Sequence, residues 1–268
     1  MNNVLILDKP AGLTSHDTCD KVKEILKSEK AGHAGTLDSN VTGVLLIALE
    51  NATKIMPLLN RLDKEYEGKA YLHEDVSLEN LKNIIQEKFL GKIKQIPPKR
   101  SRVKRQERER KIYEFKILEK QGRKLSFKVS CEAGTYIRKL IDDLGKALNI
   151  GAHMTELRRI KQGPFTIKES IKIEDLKTNK IKRSLLTLTQ VIKRLKLPYI
   201  SVTKKSTEKL KKGMYLNAKE IKLTGKFKEQ DILPALTSRK VIALVRIFFN
   251  SEEIKKQKSY VLKPERII

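Results

Sequence analysis

Lys30-Ala31-Gly32-His33-Ala34-Gly35-Thr36-Leu37-Asp38-Ser39-Asn40-Val41-Thr42-Gly43-Val44-Leu45 joins a helix-like segment to an apolar run. Gly32, Gly35 and Gly43 permit backbone conformations and close approaches that other residues do not. Asp38 is the only carboxylate between Glu29 and Glu50, and its neighbours are small or apolar. Two readings of this stretch are evenly matched on local chemistry alone. Asp38 caps its own turn, or the loop holds Asp38 and His33 in a cleft.

Working outward, composition narrows the class. The chain has 268 residues, enough for one large or two ordinary domains. Hydrophobic residues make up 39%, enough for a sizeable core, and the formal net charge is +26. Such a surplus repels itself unless a polyanion is the usual neighbour. Nucleic acid is the first candidate and an anionic membrane surface the second, although a hot or salty habitat also enriches lysine. The cations are spread along the chain, which favours a basic face over a basic tail. Cys19 and Cys131 form no Cys-x-x-Cys pair, so neither a zinc ribbon nor a disulfide framework is indicated, and a reducing cytosol fits. Val4-Leu5-Ile6-Leu7 runs straight into Asp8, unlike a secretion signal. No apolar run approaches the roughly 20 residues that cross a bilayer. A cytoplasmic protein without a membrane partner is expected.

Residues 4–7 read as a buried strand, and Thr14-Ser15-His16-Asp17 as the start of a helix that ends near Lys30. Residues 43–49 have strand length, and 52–61 read as a helix perturbed by Pro57. A strand with Tyr66 near its start precedes a helix over 77–90. The stretch from Lys92 to Lys111 carries ten Lys or Arg against two Glu, with Pro97-Pro98 favouring extended backbone. It reads as an arm that tracks phosphates through Lys99, Arg100, Arg102, Lys104 and Arg105. Tyr113, Phe115 and Ile117 share one strand face. Leu125, Phe127, Val129 and Cys131 share another, and Gln121-Gly122 lies in the link of this hairpin. A helix then opens with Thr135 as N-cap and buries Ile137, Leu140, Ile141, Leu144 and Leu148. Arg138 in its first turn opposes the helix dipole, which calls for a carboxylate partner. Leu157-Arg158-Arg159-Ile160 reads as strand, with Arg158 and Arg159 as further RNA-binding cations. Residues 170–195 are basic and more helical. The break at Leu197-Pro198 divides a domain over 1–195 from one over 196–268, whose best strand is 241–249.

His16, His33, His73 and His153 lack ligand-like spacing, so no metal is expected. No nucleophile elbow, Walker loop or dinucleotide fingerprint occurs. Asp38, Tyr66, Arg138 and a basic surface remain, a set suited to covalent or acid–base work on a nucleotide without a cofactor.

These residues stand in four ordered blocks. They are Leu7-Asp8-Lys9-Pro10-Ala11-Gly12-Leu13-Thr14-Ser15; the glycine stretch from Gly32 to Leu45; Lys64-Glu65-Tyr66; and Gly134-Thr135-Tyr136-Ile137-Arg138, followed by Leu157-Arg158-Arg159 and Gly163-Pro164-Phe165. In them the chain resembles the TruB/dyskerin family of RNA pseudouridine synthases over about residues 4–195. Leu72-His73-Glu74-Asp75-Val76 and the Glu132-to-Leu140 region resemble its archaeal and eukaryotic dyskerin branch most. The resemblance implies an α+β fold: a mixed, mainly antiparallel sheet in the catalytic domain and a small C-terminal β-barrel of the PUA-like, RNA-binding kind. It implies that Asp38 is the essential carboxylate, by covalent addition or proton abstraction, with Arg138 as its charge partner. Tyr66 would stack on the flipped uracil, His33 would fill the space the base leaves, Lys9 and Pro10 would support the loop, and Tyr136 would pack the floor.

The partners implied are an H/ACA guide RNA with an rRNA or tRNA substrate, a small zinc-ribbon-like subunit, a glycine-arginine-rich-family protein and a kink-turn-binding protein. A stand-alone tRNA pseudouridine synthase and a catalytically idle RNA-binding scaffold are the rival readings. Three departures from the family stand out. Ser39 replaces a usual proline and should loosen the loop. Arg102 replaces a small residue. Gln230-Asp231 replaces glycine-aspartate in a C-terminal domain that looks trimmed, because the family's N-terminal extension is missing.

Overall fold

Both faces of Val4-Leu5-Ile6-Leu7 are covered: Val4 and Ile6 enter one core, Leu5 and Leu7 another. A strand buried on both sides needs no polar alternation, and this one anchors a large sheet. The computed structural model describes residues 2–97, 104–238 and 240–268. The chain runs through β1 (Asn3–Lys9), α1 (Ser15–Ile25), β2 (Ala31–Ala34), β3 (Thr42–Leu49), α2 (Met56–Asn60), β4 (Lys64–Leu72), α3 (Leu78–Lys88) and β5 (Gly91–Gln95). It continues through β6 (Arg108–Gln121), β7 (Lys124–Cys131), α4 (Ile137–Ala147), β8 (Ala152–Gln162), β9 (Phe165–Thr166), α5 (Ile181–Ser184), β10 (Leu185–Thr187) and α6 (Leu188–Leu195). Among the described residues these strands form one sheet in the order β10-β1-β3-β8-β4-β7-β6-β5, with β2 added to β3 and β9 to β8.

All of its ladders are antiparallel except β3 with β8, where Thr42 pairs with Arg158 and Gly43 with Arg159. Gly43 has φ +105°, and a Cβ there would lie 2.1 Å from the Arg159 carbonyl oxygen. Glycine is what lets the two backbones meet at this seam. Helices α3 and α4 bury Leu81, Ile85, Leu140, Ile141 and Leu144 in one core with Phe127, Val129 and Tyr66.

A second sheet comprises β11 (Tyr199–Val202), β12 (Leu216–Asn217), β13 (Ile221–Thr224), β14 (Ile232–Thr237), β15 (Lys240–Ile247) and β16 (Tyr260–Ile267), with α7 (Lys204–Lys211) between the first two. Its order is β12-β16-β15-β14-β11-β13, and only β11 with β14 is parallel. The barrel expected here is an open, curled sheet of PUA-like character, with β12 and β13 at its ends among the described residues. Lys196, with φ +51°, ends α6 just before this sheet. Leu188 and Val191 of α6 share a core with Val241 and Leu244 of β15.

Several local expectations change. Thr14 caps α1 through a reciprocal pair with Asp17, as its residue types suggest. The helix ends at Ile25 rather than near Lys30, because Lys27 turns left-handed (φ +50°). Pro57 lies in the first turn of α2, where its missing N–H costs nothing, so it starts that helix rather than perturbing it. The N-cap of α4 is Tyr136, not Thr135, whose hydroxyl donates to the Glu132 carbonyl instead. A bulge between Ile112 and Glu114 turns Tyr113 to solvent, while Phe115 stays inside.

Candidate active site

The glycine stretch is only partly a loop. Ala31–Ala34 is β2, with Gly32 opposite Ala48 and His33 opposite Ile47. The connection to β3 is then pinned twice, since Leu37 and Val41 are buried in the same core as Tyr66. Each such burial is worth about 1.5–3 kcal/mol. Between these anchors the Val41 N–H donates to the Asp38 carbonyl at 3.0 Å, closing a turn. Asp38 is thereby lifted out of the apolar layer, with its side chain 56% exposed.

The first sequence block fastens this turn from outside. Ser15 Oγ accepts from the Leu37 N–H at 2.8 Å and donates to its carbonyl at 3.0 Å. Fully buried Lys9 directs its ammonium at the carbonyls of Pro10 (2.7 Å), Leu13 and Ser39 (3.1 Å). Burial pushes the Lys9 ammonium below its usual range, opposed by the charge of Asp38. The Gly12 N–H also donates to the Ser39 carbonyl at 3.0 Å. The Ser39 carbonyl thus takes two bonds, which fasten the turn through its backbone.

Helix α4 brings Arg138 to Asp38. Its buried stripe leaves Arg138 outward, 58% exposed, and the guanidinium Nη2 donates to Asp38 Oδ2. The start of the helix is held by a residue not singled out in the sequence. Gln95, at the end of β5, accepts from the Tyr136 N–H at 3.0 Å and donates to its carbonyl at 3.2 Å. One side-chain amide thus meets a helix terminus as a neighbouring strand would.

Tyr66, on β4, lies in the core close enough to Asp38 for that charge to act on its phenol. Burial pushes its phenol up, so it is protonated at neutral pH. His33 lies near Arg159 and His16, and burial together with those charges pushes its imidazole down. His33 Nδ1 is buried without a hydrogen-bond partner.

Of the two arginines of β8, the structure corrects Arg159, while the side chain of Arg158 stays 41% exposed. Arg159 is 1% exposed and cannot meet a phosphate. Arg158 is engaged with Asp8 at 2.7 Å and with the Thr42 hydroxyl at 3.2 Å, bracing β8 against β1 and β3. Alternation in β8 could have revealed this, since Arg159 shares a face with buried Leu157. Lys99, Arg100 and Arg102 lie outside the described residues, whereas Lys104 and Arg105 are exposed. The ends of the basic arm are not free backbone. They are the β5–β6 hairpin, in which Lys92 pairs with Glu109 and Lys94 with Glu107.

This exposed carboxylate–guanidinium pair, with a buried phenol nearby and a loop fixed from both sides, sits in a chain whose sequence and fold define an RNA-modifying isomerase. A family profile described as TruB family pseudouridylate synthase (N terminal domain) matches residues 23–137. A second, described as tRNA pseudouridylate synthase B C-terminal domain, matches residues 138–197. The chain belongs to the TruB family of pseudouridine synthases. It is 40% identical to a probable tRNA pseudouridine synthase B of Pyrobaculum calidifontis over 98% of this chain and 83% of that one. With the protein of the same description from Methanopyrus kandleri it shares 53% identity over 66% of this chain and 52% of that one. The structure also superposes on a chain of a Cbf5-Nop10-Gar1 complex with a TM-score of 0.90 and 36% identity, over 99% of this chain and 84% of that one. A chain of an H/ACA RNP bound to a substrate RNA containing 2'-deoxyuridine gives a TM-score of 0.87 and 34% identity, over 99% and 84%.

Proposed function

We propose that this protein isomerises specific uridines of rRNA or tRNA as the guide-directed catalytic subunit of an H/ACA ribonucleoprotein. The observation that carries the chemistry is Asp38, solvent-facing and paired with Arg138 near Tyr66. A uridine inside folded RNA must be flipped out to reach it, at a cost of a few kcal/mol recovered by stacking and edge hydrogen bonds. The C1′–N1 bond breaks, the uracil turns, and a C1′–C5 bond forms. The C5 proton leaves and N1 gains one, so the reaction balances without an oxidant or a cofactor. Asp38 supplies the carboxylate, as nucleophile or base. Tyr66 supplies a flat face and a phenol that begins protonated. His33, held neutral, supplies bulk where the base had been stacked. Tyr136 packs the floor.

Guide direction is supported by likeness along 99% of the chain to chains of a Cbf5-Nop10-Gar1 complex, of an H/ACA RNP bound to a substrate RNA and of an archaeal box H/ACA sRNP Nop10-Cbf5 complex. The guide RNA, a Nop10-like zinc-ribbon subunit, a Gar1-like protein and a kink-turn-binding protein are the partners proposed. Lys104 and Arg105 of the arm, with Lys99, Arg100 and Arg102, are proposed to contact phosphates. The chain is proposed to divide near residue 196 into catalytic and RNA-binding domains and to work in the cytoplasm. No helix among the described residues is long and apolar enough to cross a membrane.

The descriptions of the curated relatives favour a second reading, a stand-alone tRNA enzyme. Tritium release from RNA labelled at uridine C5 separates the two. Release only with guide, matched target and accessory proteins is expected. Efficient release from a bare tRNA T-arm transcript would overturn guide dependence. No release in either arm, with RNA still bound, would leave a scaffold.

A further inference from the structure

Arg159 lies in the layer beneath the catalytic turn. Its side chain is among the largest fully buried ones, and every partner it has there is neutral. Nη1 donates to the carbonyls of Gly35 (3.0 Å) and Val44 (3.2 Å) and to Gln162 Oε1 (3.0 Å). Nη2 donates to the Thr36 carbonyl at 3.1 Å, and Nε to the Tyr66 hydroxyl at 3.3 Å. The guanidinium carbon also lies 5.5 Å from the centre of the Tyr66 ring. Gln162, on the same strand, extends the grip by donating to the carbonyls of Ala34 (3.0 Å) and Leu59 (3.2 Å). Three consecutive carbonyls leading to Asp38 are therefore held by side chains of β8. The plane that holds two of them also holds the phenol.

We propose that Arg159 is a positioning residue of the isomerisation, fixing the path of the Asp38 loop and the seat of Tyr66 with one planar group. The inference rests on the roles proposed above for Asp38 and Tyr66. A guanidinium is suited to this because its five N–H groups lie in a rigid plane and stay protonated in proteins. Lysine would keep the charge in this pocket, but three donors on one nitrogen cannot serve a loop and a phenol on opposite sides. A misplacement of about 1 Å in a reacting group costs about a hundredfold in rate, so the plane matters beyond the charge.

The test is Arg159→Lys in the full-length protein, in whichever RNA system supports turnover by the wild type. Single-turnover rates are read at saturating enzyme, alongside RNA affinity, thermal unfolding and hydrogen exchange. The expected result is a rate constant lowered about a hundredfold that excess enzyme does not restore, with RNA affinity unchanged. Exchange should quicken in residues 34–38 and around Tyr66, while the β5–β6 hairpin keeps its protection. A purely structural role would lower the fraction of active protein and leave the rate at saturation intact. That result, or unchanged exchange at 34–38, overturns the proposal. If Arg159→Lys does not fold, Gln162→Met, which removes the Ala34 and Leu59 bonds and one Arg159 acceptor, is read by the same measurements. Asp38→Asn is the companion control. Turnover surviving in it within tenfold would remove the proposed site, whereas the exchange result on Arg159 stands or falls separately.

Discussion

The two sides of the Asp38 loop treat charge in opposite ways. On the solvent side Asp38 and Arg138 form an ion pair with both side chains more than half exposed. Such pairs are worth about 0–1 kcal/mol, so this one does little for the fold. On the inner side Arg159 and Lys64 are buried, and their partners are carbonyls and neutral side chains. Each hydrogen bond to such a buried charge is worth about 1.5–3 kcal/mol. The loop is therefore easy to re-pair on its solvent side and costly to disturb where it is seated. On the function proposed above, the Asp38–Arg138 pair can exchange partners with an incoming nucleotide while the loop backbone stays in place.

The sharpest way to break this contrast is at the seam. Gly43→Ala puts a methyl 2.1 Å from a backbone oxygen, at φ +105°, with no flexible side chain to give way. It should destabilise the protein by about 3 kcal/mol, read as a lowered urea midpoint. Asn40→Ala, on the solvent side of the same loop, should stay within about 0.5 kcal/mol. Equal effects at the two positions would end the comparison.

Arg138→Gln attacks the outer side. The rate should fall about tenfold to a hundredfold, while stability changes by less than about 1 kcal/mol. A loss of stability in proportion to the loss of rate would make this pair a fold element after all.

Lys64 probes the inner side by pH. Burial, with Arg159 nearby, pulls its ammonium from 10.5 down to about 8. Below pH 8 folded and unfolded chains both hold the proton. Above it the folded chain has released the proton and the unfolded chain has not, so stability rises with pH. From about pH 8 the buried thiols of Cys19 and Cys131, pushed up to about 12, act in the opposite sense and offset most of the gain. The part due to Lys64, read as the difference in unfolding free energy between wild type and Lys64→Met, should therefore grow by about 1 kcal/mol between pH 8 and pH 9. A difference that does not change with pH would count against the buried ammonium.

The smallest change is a control far from both sides. Gln230 stands where the family usually has glycine and adopts φ +66°. Gln230→Gly should gain about 0.5–1 kcal/mol of stability by thermal unfolding and leave the rate untouched.

Much of this was legible in the sequence where neighbours in the chain decide the outcome. The Thr14–Asp17 cap, the alternation of β7 and the turn at Gly122 follow from local residue types. Asp38, Tyr66 and Arg138 were found as motif residues, and the fold brings Arg138 onto Asp38 and sets Tyr66 nearby. What remained hidden depends on distant pairing. β2 exists because Ala31–Ala34 finds β3, although three glycines in the stretch suggested open loop. Two adjacent arginines in a chain of +26 charge suggest a surface, and only the pairing of β8 with β3 and β4 shows that Arg159 is inside. Gln95 and Gln162 give no signal beyond being amides near Pro97 and Pro164. Their partners are 41 residues away for Gln95 and 128 and 103 away for Gln162.

The seam has a consequence for synthesis. Arg159 follows its partner Val44 by 115 residues, and closing a loop of that length carries an entropic cost. A nascent chain that has emerged only through α4 already holds Asp38, Tyr66 and Arg138. It lacks the strand that seats two of them, and the Asp38 turn stays unanchored on its inner side. The ribosome thus releases an RNA-attracting, basic polypeptide well before it releases an isomerase, and competence for chemistry arrives with β8.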